Sequence, residues 1–190
     1  DEARKLFPPI YERARLQRNG MLSRSEARWS GRVEDPEHWR DGASPKYYAY
    51  LELDGEPAGY ALYRVKGKWE EGAPRGELRI VEALASSPDA TAELWRFLFG
   101  VDLVTRVRAG VDPTWSLLLM VEDARRLHPT IAEGLWLRIV DLEGALGTRG
   151  FNAAESAVLE VTDAMFERNA GRWRVGPEPA RTDEDADVAL

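Results

Sequence analysis

Two histidines, seven tryptophans, many carboxylates and no cysteine make up the chemically useful residues of this 190-residue chain. His38 and His128 lie far apart and supply no His-Glu-x-x-His or Glu-x-x-His pair of metal ligands on one helix. Each sits in a loop-like context, PEHWRDG and RLHPT, the usual setting of a surface histidine. Without cysteine there is no disulfide, thiolate zinc site or cysteine nucleophile, which agrees with a reducing cytosol. No GxxxxGK loop, GxGxxG turn or GxSxG elbow occurs, so the local signatures of nucleotide binding and of serine hydrolases are missing. The serines have no neighbouring histidine to activate them. Glu70-Glu71 and Asp183-Glu184-Asp185 read as solvated charge runs, because acid–base work needs two environments that push the two pKa values apart. Among the tryptophans, Trp95 lies on an apolar helical stripe and is expected in the core. Trp136 and Trp173 lie in expected strands and are expected half buried. Trp39 and Trp69 lie in polar links, where an exposed aromatic marks contact with another domain or subunit.

A hydrophobic fraction of 44% with 31% charged residues describes a chain able to build a core. A net charge of -7 offers no general basic field for nucleic acid, so no nucleic-acid partner is expected. The longest apolar run, residues 115–121, is far below the roughly 18 residues of a membrane span, and no membrane partner is expected either. The opening DEARKLFPPIYERARLQ has neither an initiating Met nor signal-peptide character, and reads as the inside of a longer protein.

The elements that must position these residues follow from periodicity. Residues 2–18 are expected to form a helix started or interrupted at Pro8-Pro9, with Ile10, Ala14 and Gln17 on one face and Asn19-Gly20 at its end. Ser23-Arg24-Ser25-Glu26 has the spacing of a capping box and places Trp29 in a second helix. From Tyr47 the period becomes two: an alternating strand, the turn dipeptide Asp54-Gly55 and a return strand GYALYRV predict a hairpin. Residues 77–85 add a third strand of an antiparallel meander. Ser87-Pro88-Asp89 opens a helix with a serine cap, a first-position proline and an acid at the positive end of the dipole; its stripe is Leu94, Trp95, Leu98 and Phe99. A strand over 101–109 and a short helix from Asp112-Pro113 follow. GLWLRIVDLEGALGTRGF then predicts a strand near 134–140, with Trp136 and Arg138 on one face, and a helix near 141–148. SAVLEVTD and GRWRV predict a last hairpin before the exposed acidic tail TDEDAD. These last strands have no covering helix, so residues 1–130 read as a complete α+β domain and residues 131–190 as the beginning of a second.

Several of these segments together resemble the enhanced intracellular survival (Eis) family of GNAT-type N-acetyltransferases. They are FPPIYERARLQRNGMLSRSEARW, GYALYRV, ELRIVEALASSPDATAELWRFLFGVD, DPTWSLLLMVEDARRL, GLWLRIVDLEGALGTRGF, VLEVTD and NAGRWRV, in the family's order. The resemblance implies a central GNAT-like domain with an antiparallel sheet and flanking helices, followed by an incomplete sterol-carrier-like α+β segment.

It also implies a parent enzyme that transfers acetyl from acetyl-CoA to an amine, aminoglycoside-like or another polyamine, by direct attack on the thioester while a tyrosine protonates the leaving thiolate. Homo-oligomers, up to hexamers, are implied too. In GNAT enzymes the cofactor's pyrophosphate rests on an Arg/Gln-x-x-Gly-x-Gly/Ala loop at a helix start. Three stretches here share its first glycine, 17–22, 28–33 and 168–173, but each fails at the sixth position, with Leu, Val or Trp.

Acetyl-CoA is therefore expected to bind an N-terminal domain outside this chain, with no cofactor, metal or catalytic residue here. One contact carries over: Trp29 matches a tryptophan that lines the family's amine pocket, against the alternative that it packs an interface. A non-catalytic sterol-carrier-like module holding an apolar ligand, or a structural interaction module, is the rival reading.

Overall fold

The computed structural model describes residues 2–112 and 116–189, which divide into two compact units, Asp1–Thr130 and Ile131–Leu190. The expected helix start at Pro113 and the terminal Leu190 lie outside the described residues.

The first unit opens with α1 (Glu2–Arg15), which runs unbroken through Pro8 and Pro9 instead of starting or stopping there. An interior proline costs about 3 kcal/mol through a lost hydrogen bond and a clash. The helix survives because Phe7, Ile10, Tyr11 and Ala14 are all buried, at about 1.5–3 kcal/mol for each large side chain. Gln17 falls beyond the helix and is exposed. Helix α2 (Glu26–Val33) is capped by Ser25, whose hydroxyl accepts from the Arg28 N–H, so the cap is a simple one and Glu26 is already helical.

Strands β1 (Tyr47–Leu53) and β2 (Glu56–Lys66) form the expected hairpin. Asp54 and Gly55 both take positive φ (54° and 80°), as a two-residue turn with the twist of its strands requires. The following link contains a miniature hairpin, β3 (Trp69–Glu70) with β4 (Ala73–Pro74), turned by Glu71-Gly72. It is too short to leave an alternating pattern in the sequence.

Next come β5 (Gly76–Ala85), α3 (Pro88–Phe99) and β6 (Val104–Ala109), then the short α4 (Leu117–Met120). The sheet order is β1-β2-β5-β6, antiparallel except for the β5–β6 pair. That parallel pair is what a strand–helix–strand crossover through α3 produces.

One face of the sheet, with Ala61, Leu78 and Ala85, packs on Ala90, Leu94, Trp95 and Leu98 of α3. The other, with Tyr60, Leu62 and Leu84, packs on Phe7, Ile10 and Tyr11 of α1 and Trp29 of α2. Phe99, expected on the buried stripe of α3, is 43% exposed.

At the start of β5, Gly76 stands so close to β6 that a Cβ there would lie 2.5 Å from the Leu103 carbonyl oxygen. Gly76→Ala is therefore expected to lower stability by about 1–3 kcal/mol in urea unfolding, as overpacking against backbone does. Gly67→Ala, with open space around it, is the control and should change little.

The second unit holds α5 (Leu142–Gly147), capped by Asp141, and a sheet of β7 (Ala157–Val161), β8 (Gly171–Val175), β9 (Ala180–Arg181) and β10 (Val188–Ala189) in the order β10-β7-β8-β9. Trp173 is buried, and its indole N–H donates to the Asn169 carbonyl at 2.9 Å. The acidic tail is tied down: Asp187 accepts from the Val158 N–H through its carboxylate and donates its own N–H to the Val158 carbonyl, each at 2.8 Å.

The strand expected at 134–140 does not form. That segment has no ladder partner among the described residues, and Leu135, Trp136 and Leu137 are more than three-quarters exposed, so Trp136 is not half buried. Alternation makes a sequence competent to be a strand, but only a paired edge makes it one. No helix among the described residues is long and apolar enough to cross a membrane.

Candidate functional site

Two places in the first unit bear on function: the turn from β5 into α3, and the polar end of the face covered by α1 and α2. At the first, the chain passes from Ala85 through Ser86 and Ser87 into a helix whose Ala90 and Thr91 N–H groups are already used. The Ser86 N–H and hydroxyl both donate to the Ala58 carbonyl. The Ser87 hydroxyl accepts from the Ala90 N–H at 3.1 Å, and its carbonyl accepts from the Thr91 N–H and hydroxyl.

Pro88 has no N–H to offer, and Asp89 places a carboxylate in the first turn. A phosphate cradle needs converging free N–H groups and glycines that let the backbone approach. This turn has neither, and its acid would repel the anion. The three partial loop matches fare no better: Gly20 lies in the turn before α2, Gly31 within α2, and Gly171 at the start of β8, so none opens a helix after a strand. Neither this turn nor the three partial matches fits the pyrophosphate of acetyl-CoA as a helix-start cradle.

The second place depends on a β-bulge. The register of β2 on β5 passes from Leu62↔Glu82 to Tyr63↔Ile80, leaving Val81 as the extra residue. A bulge breaks strict alternation. Val81 and Glu82 therefore both face α1 and α2, while Ile80 and Ala83 face α3.

Glu82 receives both arms of the Arg24 guanidinium, at 2.8 and 2.5 Å, and the Tyr60 hydroxyl at 2.6 Å; Arg32 Nε is 3.5 Å away. Burial alone would raise the Glu82 pKa, but the bonds from Arg24 and Tyr60 and the charges of Arg24 and Arg32 outweigh it and hold the carboxyl below its ordinary value. The Tyr60 phenol is pushed well up, by burial first and then by the Glu82 charge and hydrogen bond.

Trp29 lies directly behind this cluster. It is 7% exposed, meets Tyr11 edge-on at 5.4 Å and Tyr60 at 6.3 Å, and has the Arg24 guanidinium 4.9 Å above its ring. Arg24 also lies 3.9 Å over the Tyr11 ring, and the Tyr11 hydroxyl donates to the Leu22 carbonyl at 2.7 Å. The indole is thus a packing platform beneath an arginine. The space in front is lined by its helix neighbours Arg28, Gly31 and Arg32.

Sequence reasoning singled out Trp29 but missed Arg24, Tyr60 and Glu82. Strict alternation groups Glu82 with Leu78 and Ile80 on the α3 face, and only the bulge at Val81 moves it to the face covered by α1 and α2. Neither histidine joins a site: both are exposed, and no group of metal-binding side chains occurs among the described residues.

With the geometry in view, the comparisons are consistent. The sequence matches the acetyltransferase (GNAT) domain family over residues 20–139 and the sterol carrier protein domain family over residues 142–190. It is 39% identical over 189 residues to an uncharacterized N-acetyltransferase of Streptomyces avermitilis, covering 95% of this chain and 46% of that protein. It is 35% identical over 193 residues to the N-acetyltransferase Eis of Mycobacterium bovis (strain BCG / Pasteur 1173P2), covering 98% and 46%.

In structure it is similar to Eis1 from Mycobacterium abscessus, with a TM-score of 0.73 and 26% identity over 98% of this chain and 46% of that one. A GCN5-related N-acetyltransferase from Anabaena variabilis shares the fold at a TM-score of 0.69 and 20% identity, over 98% of this chain and 47% of that one. The chain thus spans about half the length of the curated relatives it matches. It belongs to the GNAT acetyltransferase family, as an Eis-type member in which a GNAT domain is followed by a sterol carrier protein domain.

Proposed function

We propose that this chain is the cofactor-free central part of an acetyl-CoA-dependent amine N-acetyltransferase. In this reading residues 1–130 are a GNAT-like domain without the acetyl-CoA loop, and residues 131–190 begin the sterol-carrier-like domain. Acetyl-CoA is held by a part of the enzyme outside this chain, and the acceptor is an amine of the aminoglycoside or polyamine kind.

The observation that carries the reading is the closed turn between β5 and α3, where the serine cap, proline and aspartate leave no cradle for a pyrophosphate. The chain contributes rigidity through the sheet and its two helical faces. It contributes Trp29, 7% exposed, as the contact with the amine substrate, the role its match to the family's pocket tryptophan implies. It also contributes subunit contacts, for which the exposed run with Ile131, Leu135, Trp136 and Leu137 is suited. Calorimetry of this chain with acetyl-CoA is expected to show no binding tighter than about 0.1 mM, the range of weak affinity. A micromolar Kd would overturn the reading.

A further inference from the structure

We propose that the cleft beside α2, floored by the bulged Val81 of β5, binds a small oxyanion carrying phosphate or carboxylate groups. The cleft has a volume of about 760 Å³, within the range of small-molecule sites. Its walls carry Arg24, Arg28, Arg32, Lys46 and Arg64, and no carboxylate among the described residues lines it. In a chain with net charge -7 this is a local inversion of sign.

Two carboxylates lie behind the wall. Glu82 takes the bidentate bond from Arg24 and a longer contact from Arg32, and Asp35 takes Arg64 and Arg40. Lys46 is positioned without being neutralised: its ammonium donates to the Arg32 and Glu34 carbonyls at 2.7 and 2.6 Å. Arg28 is exposed, with no side-chain hydrogen bond or ion pair among the described residues.

Positive charge therefore remains in excess where the cleft opens. Lys46 registers it: its ammonium is held below the ordinary lysine value by burial first, and then by repulsion from Arg64 and Arg32, against the pull of Asp35 and Glu34.

The site is built before any ligand arrives. Arg64 is 6% exposed, held by Asp35 and by the Ser44 carbonyl at 3.3 Å, and Arg24 is fixed between Glu82 and the rings of Tyr11 and Trp29. Trp39, 51% exposed at the rim, adds an aromatic surface for the non-anionic body of the ligand. Such an array of guanidinium forks with a fixed ammonium suits phosphate or carboxylate oxygens.

The other basic recess, around Lys66, Lys68, Arg75, Arg79 and Arg106, lacks this property. Glu70 and Glu77 line it, and they pair with Lys68 and Arg79. The inference stands whether or not the chain serves acetyl transfer.

The test is calorimetry and two-dimensional NMR of this chain at low ionic strength with three probes: pyrophosphate, citrate and spermidine. Expected is a Kd of about 0.1–1 mM for pyrophosphate, citrate or both, amide shifts gathered at Gly20 and Gly31 with a shift of the Trp39 indole, and no shift there with spermidine. Pyrophosphate alone assigns the anion to a phosphate compound, and citrate alone to a polycarboxylate.

Arg28→Ala should weaken binding about fivefold and Arg28→Glu abolish it, while Arg106→Ala changes nothing, since removing a cation matters only where it contacts the anion. The Arg28 side chain makes no hydrogen bond or ion pair among the described residues, so unchanged urea midpoints confirm that its variants fold. No binding of either anion at about 10 mM, far above the affinity of a built anion site, would overturn the proposal. So would equal affinity in Arg28→Glu, or binding that follows Arg106.

Discussion

Glu82→Gln is expected to lower the stability of the first unit by about 3–5 kcal/mol, the usual consequence of removing one partner from a buried ion pair. Glu82 and Arg24 are each only 14% exposed in their side chains. Removing the carboxylate leaves a desolvated guanidinium against two aromatic rings and weakens the acceptor of the Tyr60 hydroxyl. Urea unfolding followed by tryptophan fluorescence measures the loss. The double variant Arg24→Met, Glu82→Met should regain most of it, because an apolar pair leaves no orphaned charge. A single-variant loss under about 1 kcal/mol, the value of an exposed pair, would show that the cluster is effectively solvated.

The same group fixes a direction for acid sensitivity. Its folded pKa lies below the ordinary 4.5, so its contribution is fully present above that value and is lost as pH falls through the lower folded value. Stability of the natural chain should therefore decline on the acid side of 4.5 more steeply than that of Glu82→Gln, which lacks the group.

Trp29→Ala is expected to cost about 3–5 kcal/mol as well, by opening a cavity in a packed aromatic cluster. Tyr11 loses its edge-on partner, and Arg24 loses half of the platform that keeps it on Glu82. Combining Trp29→Ala with Glu82→Gln should therefore cost less than the sum of the two, since both loosen the same arginine. Additive losses would mean that the platform does not position Arg24.

Trp29→Phe keeps most of the apolar contact and should retain most of the stability. In an enzyme containing this chain it separates the two roles proposed for the indole. A raised KM for the amine with a near-normal urea midpoint supports contact with substrate, and an unchanged KM assigns Trp29 to packing alone.

Much of the first unit could be read without coordinates, because its signals are local. Asp54-Gly55 predicts the hairpin since two consecutive positive φ angles are tolerated there, and Ser87-Pro88-Asp89 predicts the start of α3 from capping and dipole alone. The unbroken α1 was not legible: local rules break a helix at Pro8-Pro9, and only burial of Phe7, Ile10 and Tyr11 against the sheet overrides them. Residues 134–140 failed in the opposite direction, with good alternation and no edge to pair with among the described residues.

By itself the sequence determined the α+β class, the identity and order of most elements, and the family to which these segments belong. Those properties rest on turn chemistry, period and short motifs, each contained within a few consecutive residues. Only the tertiary structure decided that Glu82 takes the face covered by α1 and α2, that Arg24 and Tyr60 meet on it, and that Arg28, Lys46 and Arg64 converge on one cleft. A one-residue bulge at Val81 reverses which face a side chain takes, and the partners that meet there come from segments as much as 58 positions apart. Their meeting depends on how the strands pair, and no local pattern in the chain encodes it.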